Sequence, residues 1–317
     1  MKIVFLDIKT LSFPVEVSGL QQFGQVDLYD DLADEDVSAV IEDADILITN
    51  QNQLNESNLN GAKALKLICQ AGTGYNNIDV EYCRKKGIAV ANVPAYAAKS
   101  VAQHTFSMLF YLISHSGYYD YDTKHGNYSK GVISFHSGKE FFELEGKTWG
   151  IIGFGEIGRK VAQYAQGFGC EIIYFSTSGI NQQSSFQRVT LEELLKRSDI
   201  LSIHAPLNDR TRNLIGLQEL KLMKNTAYLL NLGRGGIVRE EDIATALSEE
   251  IIAGAGLDVF EEEPLSQNNP LLRIDGDNLY MTPHIGYASK EARMRLMETI
   301  CSNIDSFLKH EERNRIV

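Results

Sequence analysis

Short apolar runs recur along this chain about every 20 to 30 residues with amphipathic stretches between them, and the chain goes through that rhythm twice. It is the rhythm of parallel strands joined by crossover helices. The first set reads as strands at Lys2–Ile8, Ala44–Thr49, Leu65–Gln70 and Ile88–Asn92, with helix-like stretches such as Asp36–Glu42 and Val80–Lys86 between them. The second holds Thr148–Gly153, Glu171–Ser176, Asp199–His204, Ala227–Asn231, Ala255–Val259 and Leu279–Thr282, six strands in all. Six is the number expected of a dinucleotide-binding sheet.

Between the sets, Ala97–Leu112 is apolar at Val101, Ala102, Phe106, Met108, Leu109 and Leu112, which predicts a linking helix. An aromatic-rich segment follows, from Tyr118 to Phe142, with little regular period. It reads equally as an arm for a partner subunit and as a packed excursion. The closing stretch Lys290–Leu308 carries a helical stripe of Met294, Met297, Ile300, Ile304 and Phe307, expected to return to the first sheet. The fold class is therefore α/β with two doubly wound parallel-sheet domains. Residues 1–98 and 287–317 are expected to form one discontinuous, flavodoxin-like substrate domain, and 99–286 a dinucleotide-binding domain of the Rossmann kind inserted into it.

With 317 residues, 44% of them hydrophobic, the chain can bury two cores. A formal charge of −12 argues against non-specific nucleic-acid binding, which rests on Lys and Arg neutralising phosphates. No apolar run approaches the roughly 20 residues of a membrane span, and the first residues are too soon acidic for a signal peptide, so a cytoplasmic protein is expected. Cys69, Cys83, Cys170 and Cys301 are scattered and read as reduced packing thiols, with no zinc or disulfide pattern. An anionic ligand must then be held locally, by backbone N–H groups at a helix start or by one placed arginine.

A helix start of that kind is available. Trp149-Gly150-Ile151-Ile152 reads as a strand, and Gly153-Phe154-Gly155-Glu156-Ile157-Gly158 follows it directly, opening a helix with Ile157, Val161, Ala162, Ala165 and Phe168 on one face. Such glycines permit the tight turn, the approach of a pyrophosphate and helix–strand contact. At the end of the next strand, where an acid would bond the ribose of NAD, stands Ser176, followed by Thr177 and Ser178. No carboxylate repels a 2′-phosphate there. No cation sits in the immediate loop either, with Arg188 and Arg210 the nearest reaches, so the expectation is NAD with NADP tolerated.

Three separated residues suit reduction of a 2-keto acid. Arg234, in Asn231-Leu232-Gly233-Arg234-Gly235, follows a strand end and has the planar fork that pairs with a carboxylate; read alone it is an ordinary surface arginine. His284, in Thr282-Pro283-His284-Ile285-Gly286, has the intrinsic basicity for proton transfer near neutrality, and an adjacent carboxylate would stabilise its imidazolium. Glu263 could be that carboxylate. It closes the run Glu261-Glu262-Glu263, which read alone is a solvated acidic loop, yet Pro264 stiffens the chain beside it. The other histidines, at 104, 115, 125, 136, 204 and 310, show no metal-ligand spacing and read mostly as structural.

Taken in order, G-F-G-E-I-G at 153–158, H-A-P-L at 204–207 with Thr211, N-L-G-R-G at 231–235, L-D-V-F-E-E-E-P at 257–264 and T-P-H-I-G at 282–286 resemble the D-isomer-specific 2-hydroxyacid dehydrogenase family. So do Q-A-G-T-G-Y-N-N-I-D at 70–79 and V-A-Q-H-T at 101–105, and the likeness covers nearly the whole chain. It implies that Arg234 grips the substrate carboxylate, His284 is the acid/base and Glu263 its partner, with backbone groups of Thr73 and Gly74 on the far side of the substrate in a cleft that closes. For the cofactor it implies Gly155, Glu156 and Ile157 at the pyrophosphate, His204, Pro206 and Thr211 along the adenosine, and Asp258 at the nicotinamide amide. Gly153, Gly158, Ser176, Leu232, Gly233, Arg234 and His284 complete that set. Ser176 in place of the usual acid and Asn76 where many members have Asp are departures. The resemblance further implies a homodimer, no metal, and a substrate of the hydroxypyruvate, glyoxylate or pyruvate type. The rival reading is an NADH-sensing regulator that docks partners without turnover.

Overall fold

The computed structural model describes residues 1–131, 134–135, 138–180 and 185–317; His136 lies outside the described residues. The chain divides into two compact units, Met1–Ala97 with Tyr287–Val317, and Ala98–Gly286.

In the first unit, β1 (Lys2–Phe5), β2 (Gln25–Leu28), β3 (Ile46–Thr49), β4 (Leu67–Gln70) and β5 (Ala89–Ala91) form one parallel sheet in the order β2-β1-β3-β4-β5. This is the flavodoxin-like order. Strand β2 escaped the sequence reading because it is an edge whose Gln25 and Leu28 are exposed, leaving no apolar run. Alternate side chains of β1 feed two cores. Ile3 and Phe5 pack with Ile48 and with Leu296, Ile300 and Ile304 of the Lys290–Leu308 helix. Val4 and Leu6 pack with Leu47, Leu59 and Cys83 on the other face. Met294, expected in the helix stripe, is 51% exposed; Met297, Ile300 and Ile304 of that stripe are buried, and Ala292 and Leu296 complete the face.

Local chemistry sets the element ends. Asp79 caps the Val80–Lys86 helix by accepting the Tyr82 N–H at 2.9 Å, and Gly87, at φ 71°, closes it behind three basic residues. Strand β1 stops at Phe5, short of the expected Ile8, and Ile8–Leu11 is a 3₁₀ turn. The cause is Asp7, whose buried carboxylate accepts the N–H groups of Asn50, Gln51 and Asn52 at 2.6–3.2 Å. Burial raises the Asp7 pKa, and these bonds only partly offset it.

Among the described residues the second unit has seven parallel strands rather than six: β6 (Thr148–Ile152), β7 (Glu171–Phe175), β8 (Gln187–Arg188), β9 (Ile200–Ile203), β10 (Tyr228–Asn231), β11 (Gly254–Leu257) and β12 (Leu279–Met281). Their order is β12-β11-β10-β9-β6-β7-β8, the doubly wound dinucleotide order with one added strand. Strand β8 is two exposed residues on the edge and has no periodicity to read. The strand order reverses between β6 and β9, which run parallel, at the switch point where ligands of such sheets bind. Trp149 of β6 is fully buried and donates to the Ser202 hydroxyl at 2.9 Å. The linking helix spans Ala98–Ile113, and its Met108 and Leu112 close over Gly256 of β11. Within the aromatic-rich segment, Ser116–Lys124 forms a helix that the sequence reading did not anticipate. Phe168 ends the glycine-loop helix 47% exposed, against the rings of Phe106 and Phe110 rather than in the helix–sheet core. Among the described residues no helix is long and apolar enough to cross a membrane.

Candidate active site

At the switch point the glycines act through contact. A Cβ on Gly153, whose φ is +88°, would lie 2.8 Å from backbone atoms of His204 and Ala205, and one on Gly158 would lie 2.2 Å from the Gly153 carbonyl oxygen. Strand end, helix and the β9 loop therefore touch backbone to backbone. The Glu156–Gly167 helix starts at Gly155 with no side-chain cap, and beside Gly155 a Cβ would meet nothing within 4 Å. Uncapped N–H donors facing open space fit a pyrophosphate. Gly155, Glu156, Ile157 and Pro206 keep accessible surface, while Gly153, Gly158, Leu232 and Gly233 are buried and shape the cradle.

His204 also fits a nucleotide site. It is 8% exposed, neither ring nitrogen has a hydrogen-bond partner among the described residues, and burial pushes its pKa down to about 3. A neutral, unpartnered ring at the cradle wall suits an uncharged heterocycle. Thr211, by contrast, has no exposed surface: its hydroxyl donates to the Pro206 carbonyl at 2.6 Å and accepts the Asn208 N–H at 2.9 Å. It knots the loop that carries Pro206. Ser176, 4% exposed, accepts the Gly179 N–H at 3.2 Å.

The three residues read for chemistry come from three loops at the carboxyl edge of one sheet. Arg234 is exposed, its loop fixed by Asn231, which donates to the Arg234 carbonyl at 3.0 Å and accepts the Gly233 N–H at 3.1 Å. The Arg234 guanidinium itself donates to the Gly233 carbonyl at 2.9 Å. Gly235 lies so close to the next loop that a Cβ would sit 1.7 Å from the Phe260 carbonyl oxygen. Glu263, in that loop, accepts the Phe260 N–H at 2.9 Å through Oε1 and receives Nδ1 of His284 at 2.7 Å through Oε2. Burial raises the Glu263 pKa, but the bond and charge of His284, the Phe260 N–H and the Arg234 charge together hold it below its usual value. The carboxylate is thus ionised near neutrality, and Nδ1 carries the hydrogen it accepts.

His284 adopts φ 52°, a left-handed conformation that costs a non-glycine residue about 1 kcal/mol. Its surroundings impose it. The His284 N–H bonds the Thr282 carbonyl at 2.9 Å around Pro283, and Asp258 accepts the Ile285 and Gly286 N–H groups at 2.9 and 2.8 Å. Asp258 also accepts the Thr282 hydroxyl at 2.6 Å, so that hydroxyl must accept His104 Nε2 at 3.0 Å. Burial opposes ionisation of Asp258; the His104 contact, the Thr282 hydroxyl and the two N–H bonds outweigh it and lower its pKa. His104, inside the V-A-Q-H-T stretch but left there as structural, and Glu240, whose carboxylate accepts Glu261 N–H at 2.6 Å, are supports to which the sequence reading gave no part. Among the described residues no His, Cys, Asp and Glu group could hold a metal.

In the first unit, Thr73 and Gly74 follow β4. Asn92 donates to the Thr73 carbonyl at 2.7 Å, and the Thr73 hydroxyl donates to Val93 at 2.9 Å. Asn77 braces the loop by donating to Asn52 at 3.0 Å and Gln70 at 3.2 Å.

The family model described as D-isomer specific 2-hydroxyacid dehydrogenase, NAD binding domain, matches residues 106–286. The chain is 34% identical to a hydroxypyruvate reductase of Blautia hydrogenotrophica, over 98% of this chain and 97% of that protein. It is 37% identical to a glyoxylate reductase of Thermococcus litoralis, over 92% and 90% of the two. An acyclic imino acid reductase solved with NADPH and D-arginine superposes over 100% of both chains with a TM-score of 0.89 at 29% identity. The chain belongs to the D-isomer-specific 2-hydroxyacid dehydrogenase family and is an NAD(P)-dependent oxidoreductase.

Proposed function

We propose that this enzyme reduces small 2-keto acids of the glyoxylate, hydroxypyruvate or pyruvate type to D-2-hydroxy acids, with Arg234, His284 and Glu263 as its working side chains. The observation that carries the reading is the 2.7 Å bond between His284 Nδ1 and Glu263 Oε2, in a loop pressed against the turn that bears Arg234. When bound, the nicotinamide supplies the hydride that reaches the carbonyl carbon. Arg234 holds the substrate carboxylate by two parallel charge-assisted hydrogen bonds, fixing which face of the carbonyl is presented. As negative charge grows on the keto oxygen, His284 Nε2–H donates to it and delivers the proton, and ionised Glu263 steadies the imidazolium that precedes delivery. The N–H groups of Thr73 and Gly74 are assigned to the substrate as well; neither has a protein acceptor among the described residues. Asp258 is assigned to the nicotinamide amide. A cytosolic homodimer acting on a free small acid completes the proposal.

The test is NADPH and NADH oxidation with glyoxylate, hydroxypyruvate and pyruvate. Wild type turns over at least one of the three; His284→Ala loses kcat by about 100-fold or more, and Arg234→Lys loses substrate capture because the fork is gone. Equal inertness of wild type, Arg234→Ala and His284→Ala across the panel would defeat the reading.

A further inference from the structure

We propose that Arg188 recognises the 2′-phosphate of NADP(H), making this chain selective for the phosphorylated cofactor against the expectation from its sequence. The proposal rests on the Gly153 loop as the nucleotide site, and not on the roles of Arg234 or His284.

The edge strand β8 that the sequence reading missed is what brings the cation in. It pairs in parallel with β7, placing Arg188 opposite Tyr174, two residues before Ser176 at the carboxyl edge. From there Arg188 Nη1 reaches across the following loop and donates to the Gly179 carbonyl at 3.2 Å, and its Nη2 would lie 3.9 Å from a Cβ on Gly179. Ser176 folds the same loop from inside by accepting the Gly179 N–H at 3.2 Å. The turn 176–179 thus presents Thr177 and Ser178 next to an exposed guanidinium, with buried Ser176 bracing it from inside.

The chemistry of that set separates the two cofactors. A ribose 2′-hydroxyl is held best by an ionised acid, which accepts its hydrogen, and no acid stands at the end of β7. A phosphate dianion would be repelled by an acid, but accepts hydrogen bonds from hydroxyls and above all from a guanidinium. Arg188 uses one of its five N–H donors on Gly179 and keeps a fork for phosphate oxygens. In a chain of net charge −12, only such a local cation offsets the average field.

The experiment titrates the full-length protein calorimetrically with 2′,5′-ADP and with 5′-AMP, two half-cofactors that need no turnover. Wild type binds 2′,5′-ADP tighter by about 10-fold or more, the yield of a charge-assisted contact, and salt narrows the gap. Arg188→Ala removes most of that preference while leaving 5′-AMP affinity unchanged, Arg188→Lys keeps part of it, and the ratio of kcat/KM for NADPH over NADH moves in parallel. If Arg188→Ala disturbs the loop and weakens both nucleotides, Arg188→Gln, which keeps a donor toward Gly179 without the charge, decides the matter by losing only the 2′,5′-ADP preference. No preference in wild type, or one that survives in Arg188→Gln, overturns the proposal. A protein that binds 2′,5′-ADP as described yet reduces no keto acid would instead count against the catalytic reading alone.

Discussion

Gly235→Ala tests whether the Arg234 turn and the Glu263 loop work as one body. The new methyl carbon would start 1.7 Å from the Phe260 carbonyl oxygen, 2.0 Å from its carbon and 2.6 Å from the Glu261 nitrogen. All three are backbone atoms, so no rotamer can yield. Reaching even 3.0 Å, below which real Cβ contacts essentially never occur, requires the two loops to part by at least 1.3 Å. Phe260 donates its N–H to Glu263 Oε1, so that displacement is handed to the carboxylate and, through its 2.7 Å bond, to His284. Misplacement of reacting groups by about 1 Å costs on the order of 100-fold in rate, whereas overpacking costs about 1–3 kcal/mol of stability. The expected variant is therefore folded, melts somewhat earlier, and loses kcat/KM for keto acid about 100-fold with nucleotide affinity retained. Gly167→Ala, where the methyl meets nothing within 4 Å, serves as the control. Steady-state kinetics beside a thermal melt decide the case. A Gly235→Ala enzyme within about threefold of wild type, well short of that rate loss, would show that the loops tolerate separation and that the contact has no catalytic meaning.

Three further outcomes follow from the same geometry. Glu263→Gln removes the charge facing His284 Nδ1, so the alkaline fall in the rate of keto-acid reduction moves to lower pH; an unmoved profile would take Glu263 out of the mechanism. His204 is held neutral with its pKa down at about 3, against 6.5 for the free side chain, so the unfolded chain binds more protons between those values. Its contribution to stability is complete above pH 6.5 and drains as pH falls toward 3, by at most about 1.4 kcal/mol per pH unit; His204→Phe should flatten that part of the denaturant-midpoint curve, and an unchanged slope would contradict it. Burial pushes the Cys69 thiol up to about 12 and those of Cys83 and Cys170 up to about 11, so a thiol reagent at neutral pH should leave all three unmodified until the chain unfolds. Mass spectrometry of the intact labelled protein counts them.

What was legible in the sequence depended on how densely a feature is written. Central strands such as β4 and β9 are buried on both faces and appear as unbroken apolar runs, and the Asp79 cap and Gly87 stop mark a helix by residue type alone. Edge strands β2 and β8 bury too little to leave a pattern, and the Ser116–Lys124 helix is polar and aromatic around most of its circumference. The residues proposed for the chemistry stood out because each sits in a glycine- or proline-marked turn after a strand. Their supports did not: Asn92, His104 and Glu240 act over separations of 19, 178 and 21 residues, which no local pattern records.

Those supports, remote in sequence, hold three loops in one arrangement. Arg234, Glu263 and His284 each leave a different parallel strand, and neighbouring strand ends fix loop roots without fixing their tips. Here the tips are fixed twice over, by glycines that allow backbone to meet backbone at Gly235 and Gly233, and by buried carboxylates that gather N–H groups of a turn. Asp258 shows why the second device is used sparingly. Its ionised form survives burial only because the Thr282 hydroxyl and two N–H groups meet it, with His104 adjoining. Removing one partner would leave a charge stranded in the interior, so the T-P-H-I-G turn cannot loosen gradually. The left-handed backbone at His284 is stable for the same reason, since relaxing it would break the Asp258 bonds on either side of Ile285.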